Sequence, residues 1–271
     1  MVKIVDGREL RDQILLNLKE EVASLSKKPR LAIILVGDNE ASLRYIKQKQ
    51  SACEGIGASS VLISFSDTVS QKELEDKLAE LNQDQSATGI IVQLPLPKTL
   101  DGDEVIGKIA PQKDVDGLTD SSPFQPATPL AIMQILHHYQ TTINGKTAVV
   151  LGRSKLVGGP VKQMLEKEGA KVIQIHSQTP KPIGSLVSQG DIVVAAVGKE
   201  PKLVTAAMVK LGAAVIDVGI NRDPESGKLV GDVDFENVKE KASLITPVPG
   251  GVGPLTVAML LSNLIKATEK Q

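Results

Sequence analysis

The chain has 271 residues, more than most single hydrophobic cores hold, so its length favours two domains over one. Its 31 Lys and Arg against 32 Asp and Glu leave a formal net charge of −1, which gives no reason to expect a polyanion or a membrane surface as a partner. Three Phe, two Tyr and no Trp are too few for the stacking platforms that bind single-stranded nucleic acid. We therefore predict a globular protein without nucleic-acid or membrane partners.

The cysteine and histidine content argues against disulfides and metal sites. The single cysteine, Cys53, excludes an internal disulfide and fits a reducing compartment. Together with His137, His138 and His176 it cannot supply a zinc site, so we predict no metal. Residues 1–10 lack the apolar core of a signal peptide, and no apolar run approaches the ~20 residues that span a bilayer. We predict a cytoplasmic protein.

The first part of the chain alternates helical and strand patterns, as expected for a sheet with crossover helices. Apolar residues recur at helical spacing from Leu10 to Leu25, and Pro29 ends that segment. Short aliphatic runs that follow predict buried strands, and amphipathic segments between them predict helices. The predicted elements are a strand over 31–37, a helix over 40–54, a strand over 59–65, a helix over 71–81 and a strand over 89–97.

A change of composition and hydrophobic pattern between Pro111 and Pro129 marks a candidate domain boundary. This stretch contains four prolines and almost no hydrophobic periodicity. A loop of this length inside a compact protein is usually functional or a linker. We predict domains over 1–122, completed by 250–271, and over 123–249.

The second half predicts a doubly wound, dinucleotide-binding arrangement. A Gly- and Pro-rich loop then precedes an apolar C-terminal helix that is too hydrophobic for a solvated tail, so we expect it to pack back onto the protein. The predicted elements are a helix over 130–139, a strand over 146–152, a helix over 157–168 and strands over 171–175, 191–198 and 213–219.

The segment AVVLGRSKLVGGP has the form of a phosphate-binding turn. Gly152 ends a strand, and the following helix would direct backbone N–H groups and its dipole at an anion. The spacing departs from GxGxxG, because Ser154 replaces the second glycine and the third is displaced to Gly158. The Ser154 hydroxyl is itself able to bond a phosphate. A merely tight turn between strand and helix remains the alternative.

The next strand favours NADP over NAD. NAD sites usually carry Asp or Glu at the end of this strand, to bond the ribose 2′-hydroxyl, but here it runs into His176, Ser177 and Gln178. Arg153 and Ser177 are available to hold a 2′-phosphate. The alternative for Arg153 is a solvated surface charge. We assign His176 no catalytic role.

A second group of residues has the chemistry of a reactive site. Ser42, Tyr45 and Lys49 fall on one face of a helix, Gln93 ends a strand, and Asp116 lies on the polar loop. A buried lysine loses proton affinity and becomes a base, and a glutamine can bond it without fixing its charge. A carboxylate can accept two N–H bonds from an amidine-like heterocycle. A solvated lysine, an ordinary strand-end amide and a turn aspartate remain the alternatives.

Motifs along nearly the whole chain occur together, in this order, in one enzyme family. They are VGDNEASLRYIKQK, GIIVQLPLP, KDVDGL, VVLGRSKLVGGP, VIDVGIN, GDVD and TPVPGGVGPLT. With them the chain resembles the methylenetetrahydrofolate dehydrogenase/cyclohydrolase enzymes. The resemblance implies an α/β fold of two domains: an N-terminal αβα folate domain completed by the C-terminal helix, and a Rossmann-like NADP domain. It also implies a homodimer.

The resemblance further implies two reactions of one-carbon metabolism, which supplies purine, methionine and histidine biosynthesis. The first oxidises 5,10-methylenetetrahydrofolate to the 5,10-methenyl form with NADP. The second hydrolyses that product to 10-formyltetrahydrofolate.

The resemblance also assigns roles to individual residues. Lys49 would be the central catalytic residue, Gln93 would bond and tune it, Tyr45 would pack on the folate, and Asp116 would hold the pterin edge. The loop over 247–251 would close around substrate and nicotinamide. Implied substrate contacts also include Leu94, Pro95, Pro247, Gly250, Gly251 and Leu255. Implied cofactor contacts are Gly152, Arg153, Ser154, Ser177, Gly198, Ile220 and Thr256.

Two positions depart from the usual family pattern. Ala131 stands where a glycine is common, and Leu255 stands where a methionine is common. Neither position carries a charged catalytic group. The first bears on helix packing and the second on an apolar contact, so these departures affect fine specificity and not the predicted activity.

Two other functions stay open at the level of sequence. A monofunctional NAD- or NADP-dependent dehydrogenase of a small hydroxy acid would require a catalytic dyad containing His or Asp, which we do not find. A regulator that senses NADPH without turnover would leave Tyr45, Lys49, Gln93 and Asp116 unexplained.

Overall fold

The computed structural model describes residues 2–224 and 226–271, which form two compact units. The first unit combines the residues up to Arg11 with Thr128–Thr256, and the second combines Asp12–Ala127 with Val257–Gln271. The functional domains predicted from the sequence, over 1–122 with 250–271 and over 123–249, stay a prediction.

Helices and strands alternate along most of the chain, as the sequence predicts. In chain order the elements are β1 (Lys3–Ile4), α1 (Gly7–Ser24), β2 (Arg30–Val36), α2 (Glu40–Gly55), β3 (Ser59–Phe65), α3 (Gln71–Gln83), β4 (Gly89–Val92), α4 (Gly102–Gly107), the 3₁₀ turn Pro111–Lys113, α5 (Ala127–His138), β5 (Thr147–Leu151), α6 (Gly158–Lys167), β6 (Lys171–Ile175), α7 (Gly184–Val187), β7 (Ile192–Ala195), β8 (Ala214–Asp217), β9 (Asn221–Arg222), β10 (Leu229–Val230), α8 (Phe235–Val238), β11 (Leu244–Ile245) and α9 (Val252–Glu269).

The second unit is built on a three-stranded parallel sheet with the order β3-β2-β4. Its central strand, β2, is buried from Leu31 to Val36, which explains its continuous aliphatic run. At Gly89, where β4 begins, an added Cβ would lie 2.7 Å from a methyl group of Leu264 and 2.8 Å from one of Val115. Glycine at this position therefore lets the C-terminal helix pass close to β4.

The C-terminal helix packs back onto residues of the second unit, as expected from its apolar composition. Its Leu261 and Leu264 are completely buried. Its polar anchors are Asn263, which donates to two backbone carbonyls, and Thr268, whose hydroxyl lies 2.9 Å from the hydroxyl of Thr88. The last part of the chain is therefore part of this unit's core.

The first unit contains a six-stranded, entirely parallel sheet with the order β1-β11-β8-β7-β5-β6. This is a doubly wound arrangement, and the parallel sheets of both units confirm the predicted α/β class. The strands predicted over 191–198 and 213–219 are shorter than expected, because the chain leaves the sheet at Ala195 and Asp217. The carboxyl ends of all six strands lie along one edge, where such folds bind ligands.

Among the residues that the structure describes, no helix is long and apolar enough to cross a membrane. The same residues contain no cluster of three or more His, Cys, Asp or Glu side chains suited to a metal ion.

Candidate functional site

Helix α2 carries Tyr45 and Lys49 in the second unit. Asn39 caps its N-terminus, where the side chain accepts hydrogen bonds from the backbone N–H groups of Ala41 and Ser42. The three residues predicted to share one face of α2 differ in exposure: Ser42 is buried, Lys49 is half-buried and Tyr45 is 47% exposed. An exposed tyrosine ring leaves a flat apolar surface free, in a chain that has only two tyrosines.

Lys49 is paired with Gln93, as the family resemblance implies. The Lys49 Nζ donates a 3.0 Å hydrogen bond to the Gln93 Oε1, and the Gln93 Nε2 donates to the backbone oxygen of Leu94 at 2.9 Å. The strand predicted over 89–97 ends at Val92, because the prolines that follow cannot donate to a sheet ladder. Gln93 therefore lies directly beyond the strand, with Leu94 and Pro95 after it.

Asp116 lies close enough to Lys49 for their charges to interact. Burial raises the pKa of this half-buried carboxyl, the Lys49 charge opposes that rise, and Asp114 adds to it. Asp116, Lys49 and Gln93 are thus grouped together in the second unit.

The loop that carries Asp116 is more ordered than its sequence suggests. The fully buried Asp114 carboxylate accepts hydrogen bonds from the N–H of Gly117 at 3.1 Å and from both the N–H and the hydroxyl of Thr119 at 2.8 Å. Asn263 donates to the carbonyls of Val115 and Gln125, each at 2.9 Å. The stretch over 111–129, predicted to be irregular, is therefore fixed by an aspartate of its own and by an asparagine of the C-terminal helix.

The predicted phosphate turn in the first unit is tightly packed around two glycines. Gly152 adopts φ +114, and an added Cβ would overlap the carbonyl oxygen of Ala196. An added Cβ on Gly158, where α6 begins, would overlap the carbonyl oxygen of Gly152. Two glycines thus bring the N-terminus of a ten-residue helix against the strand end.

Polar groups surround this turn without a carboxylate at the end of β6. Arg153, Ser154 and Ser177 are exposed, and the Arg153 guanidinium contacts the Gln178 side chain at 3.4 Å. The Ser154 hydroxyl oxygen accepts a hydrogen bond from the N–H of Val157, so its proton stays available to donate. His176 accepts a hydrogen bond from the Gln178 backbone through its Nδ1, which is a local structural role.

The loop over 247–251 is held by backbone contacts within the first unit. The N–H of Gly7 donates to the carbonyl of Gly250 at 2.9 Å, and the N–H of Gly251 donates to that of Pro247 at 2.9 Å. An added Cβ on Gly7 would overlap the Gly251 carbonyl, so only glycine permits this approach.

The remaining predicted contacts differ in exposure. Leu255 is completely buried, and the half-buried Thr256 bonds the carbonyl of Gly253. Ile220 is 59% exposed, and Gly198, three residues beyond the end of β7, adopts φ +62. The ligand contacts assigned to these residues stay predictions.

Asp217 and Asp232 form a buried acidic pair that no local sequence pattern singles out. The Asp217 carboxylate accepts N–H groups of Gly219, Asp232 and Val233 at 2.9 to 3.0 Å. The segments VIDVGIN and GDVD contain these residues, but nothing in their spacing shows that they meet in the fold.

Burial raises the pKa of Asp217 to about 7, against the opposing effect of its three N–H partners, and the neighbouring Asp232 adds to the rise. A raised pKa means that the folded state favours the protonated carboxyl, so its contribution to stability is largest below pH ~4 and is lost as the pH approaches 7. We expect the free energy of unfolding of the wild type, minus that of Asp217→Asn, to fall by up to ~4 kcal/mol across this range. Denaturant unfolding at several pH values measures it.

The matched control for this pH dependence is Asp191→Asn. Lys210 and the N–H of Thr147 lower the pKa of Asp191 through hydrogen bonds, so its contribution to stability is lost as the pH falls. The two variants should therefore show opposite slopes. A pH-independent difference for Asp217→Asn would contradict the raised pKa.

Comparison with known proteins identifies the family of this chain. The family model "Tetrahydrofolate dehydrogenase/cyclohydrolase, catalytic domain" matches residues 5–116, and the corresponding NAD(P)-binding domain model matches residues 126–271. The bifunctional protein FolD of Anoxybacillus flavithermus is 47% identical over 281 aligned residues, which cover 99% of this chain and 98% of that protein.

Solved structures show the same similarity. The bifunctional FolD dehydrogenase/cyclohydrolase of Campylobacter jejuni superimposes with a TM-score of 0.95 at 43% identity and covers 100% of this chain and 99% of that one. The Trypanosoma brucei enzyme, solved with NADP cofactor and an inhibitor, gives a TM-score of 0.93 at 38% identity, with 99% and 98% covered. Both family models and these full-length similarities agree with the resemblance seen in the motifs, and the chain belongs to the tetrahydrofolate dehydrogenase/cyclohydrolase family.

Proposed function

We propose that this protein oxidises 5,10-methylenetetrahydrofolate to 5,10-methenyltetrahydrofolate with NADP and hydrolyses that product to 10-formyltetrahydrofolate. The observation that carries the proposal is the Lys49–Gln93 pair beside Asp116, in a chain whose other unit holds a glycine-lined anion turn.

The residues of the anion turn fit NADP. Gly152 and Gly158 let the N-terminus of α6 pack closely against the end of β5, where a pyrophosphate would meet the positive end of the helix dipole. Arg153 and Ser177 would hold a 2′-phosphate, and no carboxylate stands at the end of β6 to repel it. When bound, the nicotinamide accepts the hydride, so this unit need only bind and orient the ring.

The second unit supplies the groups that would hold folate. The exposed Tyr45 ring would pack on its flat apolar part, and the Asp116 carboxylate would accept N–H bonds from the pterin edge. The Asp114 and Asn263 contacts hold the Asp116 loop before substrate arrives. Such preorganisation reduces the ordering cost of binding.

Lys49 is the base proposed for hydrolysis. Water adds to the cationic methenyl carbon, and the neutral Lys49 amine would accept its proton, directly or through a second water. Opening of the ring then breaks the bond between that carbon and N5: the hydroxyl of the adduct loses its proton as the formyl C=O forms on N10, and the departing N5 takes up a proton. Gln93 would hold the Lys49 amine in position through the single hydrogen bond that its Oε1 accepts.

We also propose that the protein acts as a homodimer in the cytoplasm. Family membership supports the dimer, and the buried free thiol of Cys53 is compatible with a reducing compartment. Light scattering coupled to size exclusion measures the oligomeric state, and a monomer at working concentration would contradict it.

The decisive assay follows NADPH absorbance during incubation with 5,10-methylenetetrahydrofolate and NADP, with NAD in parallel. Loss of methenyl absorbance, measured separately, reports hydrolysis. We expect both activities, with NADP preferred. A folded protein that forms no NADPH would contradict the proposed dehydrogenase activity and favour a regulator that senses NADPH without turnover.

Replacing Arg153 by Ala is expected to raise KM for NADP by about tenfold or more and to leave KM for NAD nearly unchanged. A charge-assisted bond to phosphate contributes roughly 1.5–3 kcal/mol to binding. NAD has no 2′-phosphate, so its binding does not include this bond. Steady-state kinetics with both cofactors measure the effect. Lys146→Ala removes an exposed charge beside the amino end of β5 and serves as the control. Equal changes for both cofactors would show that Arg153 does not read the 2′-phosphate.

A further inference from the structure

Two buried carboxylates lie at the carboxyl-end edge of the six-stranded sheet. Asp232 is completely buried and Asp217 is 3% exposed. Asp217 is the last residue of β8, and its carboxylate accepts the backbone N–H of Asp232 at 3.0 Å. A buried carboxylate is costly unless hydrogen bonds satisfy it, so the partners of this pair show what it organises.

The Asp232 carboxylate connects the segments that follow two neighbouring strands. It accepts the N–H of Val197 at 2.6 Å and the N–H of Gly198 at 3.0 Å, both just beyond β7. It also accepts the side-chain amide of Asn221 at 2.9 Å, beyond β8. One side chain thus fixes both segments.

Two glycines allow these carboxylates to reach the backbone. An added Cβ on Gly219 would overlap the Asp232 carboxylate, and one on Gly231 would overlap that of Asp217. Each acid therefore packs directly against the main chain near the other. A residue larger than glycine at either position would displace the carboxylate that it meets.

We infer that Asp232, whose backbone N–H is bound by Asp217, is a positioning residue for NADP. It fixes the segments of Gly198 and Ile220 at the carboxyl-end edge of the sheet. The inference rests on the proposed function, which assigns cofactor contacts to these two residues. Asp232 is buried, so it acts through the peptide groups of Val197 and Gly198 and through Asn221, and does not touch the cofactor.

The test compares Asp232→Asn with the wild type and with Asp191→Asn. An asparagine keeps one acceptor oxygen but turns its NH₂ group towards backbone N–H donors. The bonds to Val197 and Gly198 therefore weaken, while the volume of the side chain changes little. Asp191 precedes β7 at the opposite edge of the sheet and serves as a control for loss of a structural carboxylate in the same unit. NADPH fluorescence gives Kd, and thermal unfolding gives stability.

We expect Asp232→Asn to raise Kd for NADPH and KM for NADP by about tenfold. Hydrolysis of 5,10-methenyltetrahydrofolate, which consumes no cofactor, should keep its wild-type rate. Asp191→Asn should lower the unfolding temperature without changing Kd. An unchanged Kd in Asp232→Asn, or an equal loss of hydrolysis, overturns the inference and leaves Asp232 with a general structural role.

A second variant covers the case in which Asp232→Asn does not fold. Asn221→Ala removes one donor to Asp232 and leaves the Val197 and Gly198 bonds in place, and it should raise Kd by a few-fold. An unchanged Kd here likewise overturns the inference. A wild-type protein that neither binds NADPH nor reduces NADP refutes the proposed function instead, so the two failures are distinguishable.

Discussion

Replacing Lys49 by Met is expected to reduce hydrolysis of 5,10-methenyltetrahydrofolate by ~10²- to 10⁴-fold, the range that loss of a general base produces. Methionine keeps most of the length of the side chain but has no nitrogen to accept the proton of the attacking water. The hydrogen bond to Gln93 is lost, and with it the charge that opposes the rise in the pKa of Asp116. Oxidation by NADP should fall less, because hydride transfer requires placement of the two rings and no base at this position.

Single-turnover loss of methenyl absorbance measures the effect of Lys49→Met directly. Lys47→Met is the matched control, since Lys47 lies on the same helix, is exposed and has no place in the proposed mechanism. It should hydrolyse the substrate at the wild-type rate. Full hydrolysis by folded Lys49→Met would remove Lys49 from the role of base.

Replacing Gly158 by Ala is expected to reduce oxidation and to spare hydrolysis. The new methyl group would overlap the carbonyl group of Gly152 and lie 2.9 Å from the backbone nitrogen of Arg153. These are main-chain atoms, which cannot rotate away as a flexible side chain would, so helix α6 must shift from the turn. Overpacking of this kind costs about 1–3 kcal/mol. If that cost falls on the cofactor-binding conformation, affinity for NADPH drops by roughly 10- to 100-fold.

NADPH fluorescence and steady-state oxidation measure this loss. Gly184→Ala is the control in the same unit, because its Cβ would meet only the Met208 side chain, at an ordinary 3.5 Å. It should bind NADPH normally. Normal affinity in Gly158→Ala would place the pyrophosphate somewhere other than this turn, whereas equal loss of both activities would indicate general unfolding.

Much of the fold can be predicted from local pattern. The aliphatic run of β2 and the glycine-terminated run of β5 predict buried strands, because only a sheet covered on both faces tolerates continuous apolar residues. The apolar spacing that ends before Pro29 corresponds to α1, although the helix begins earlier, at Gly7. By contrast β1 and β11 have two residues each, too few for periodicity to detect, and they exist because the sheet provides partners for them.

The same division holds for the candidate site. The sequence by itself determined which candidate site residues to expect on the Lys49 face of α2, at the Gly152 turn and at the end of β6. Helical spacing, strand ends and the absence of a carboxylate are all features that can be recognised locally. The sequence could not assign Asp114, Asn263, Asp217 or Asp232. Asn263 bonds the carbonyl of Val115, 148 positions earlier in the chain, and Asp232 bonds groups more than 30 positions away. Only the tertiary structure decided those contacts, because a buried polar group must find its partners in space, and chain distance places no limit on where they lie.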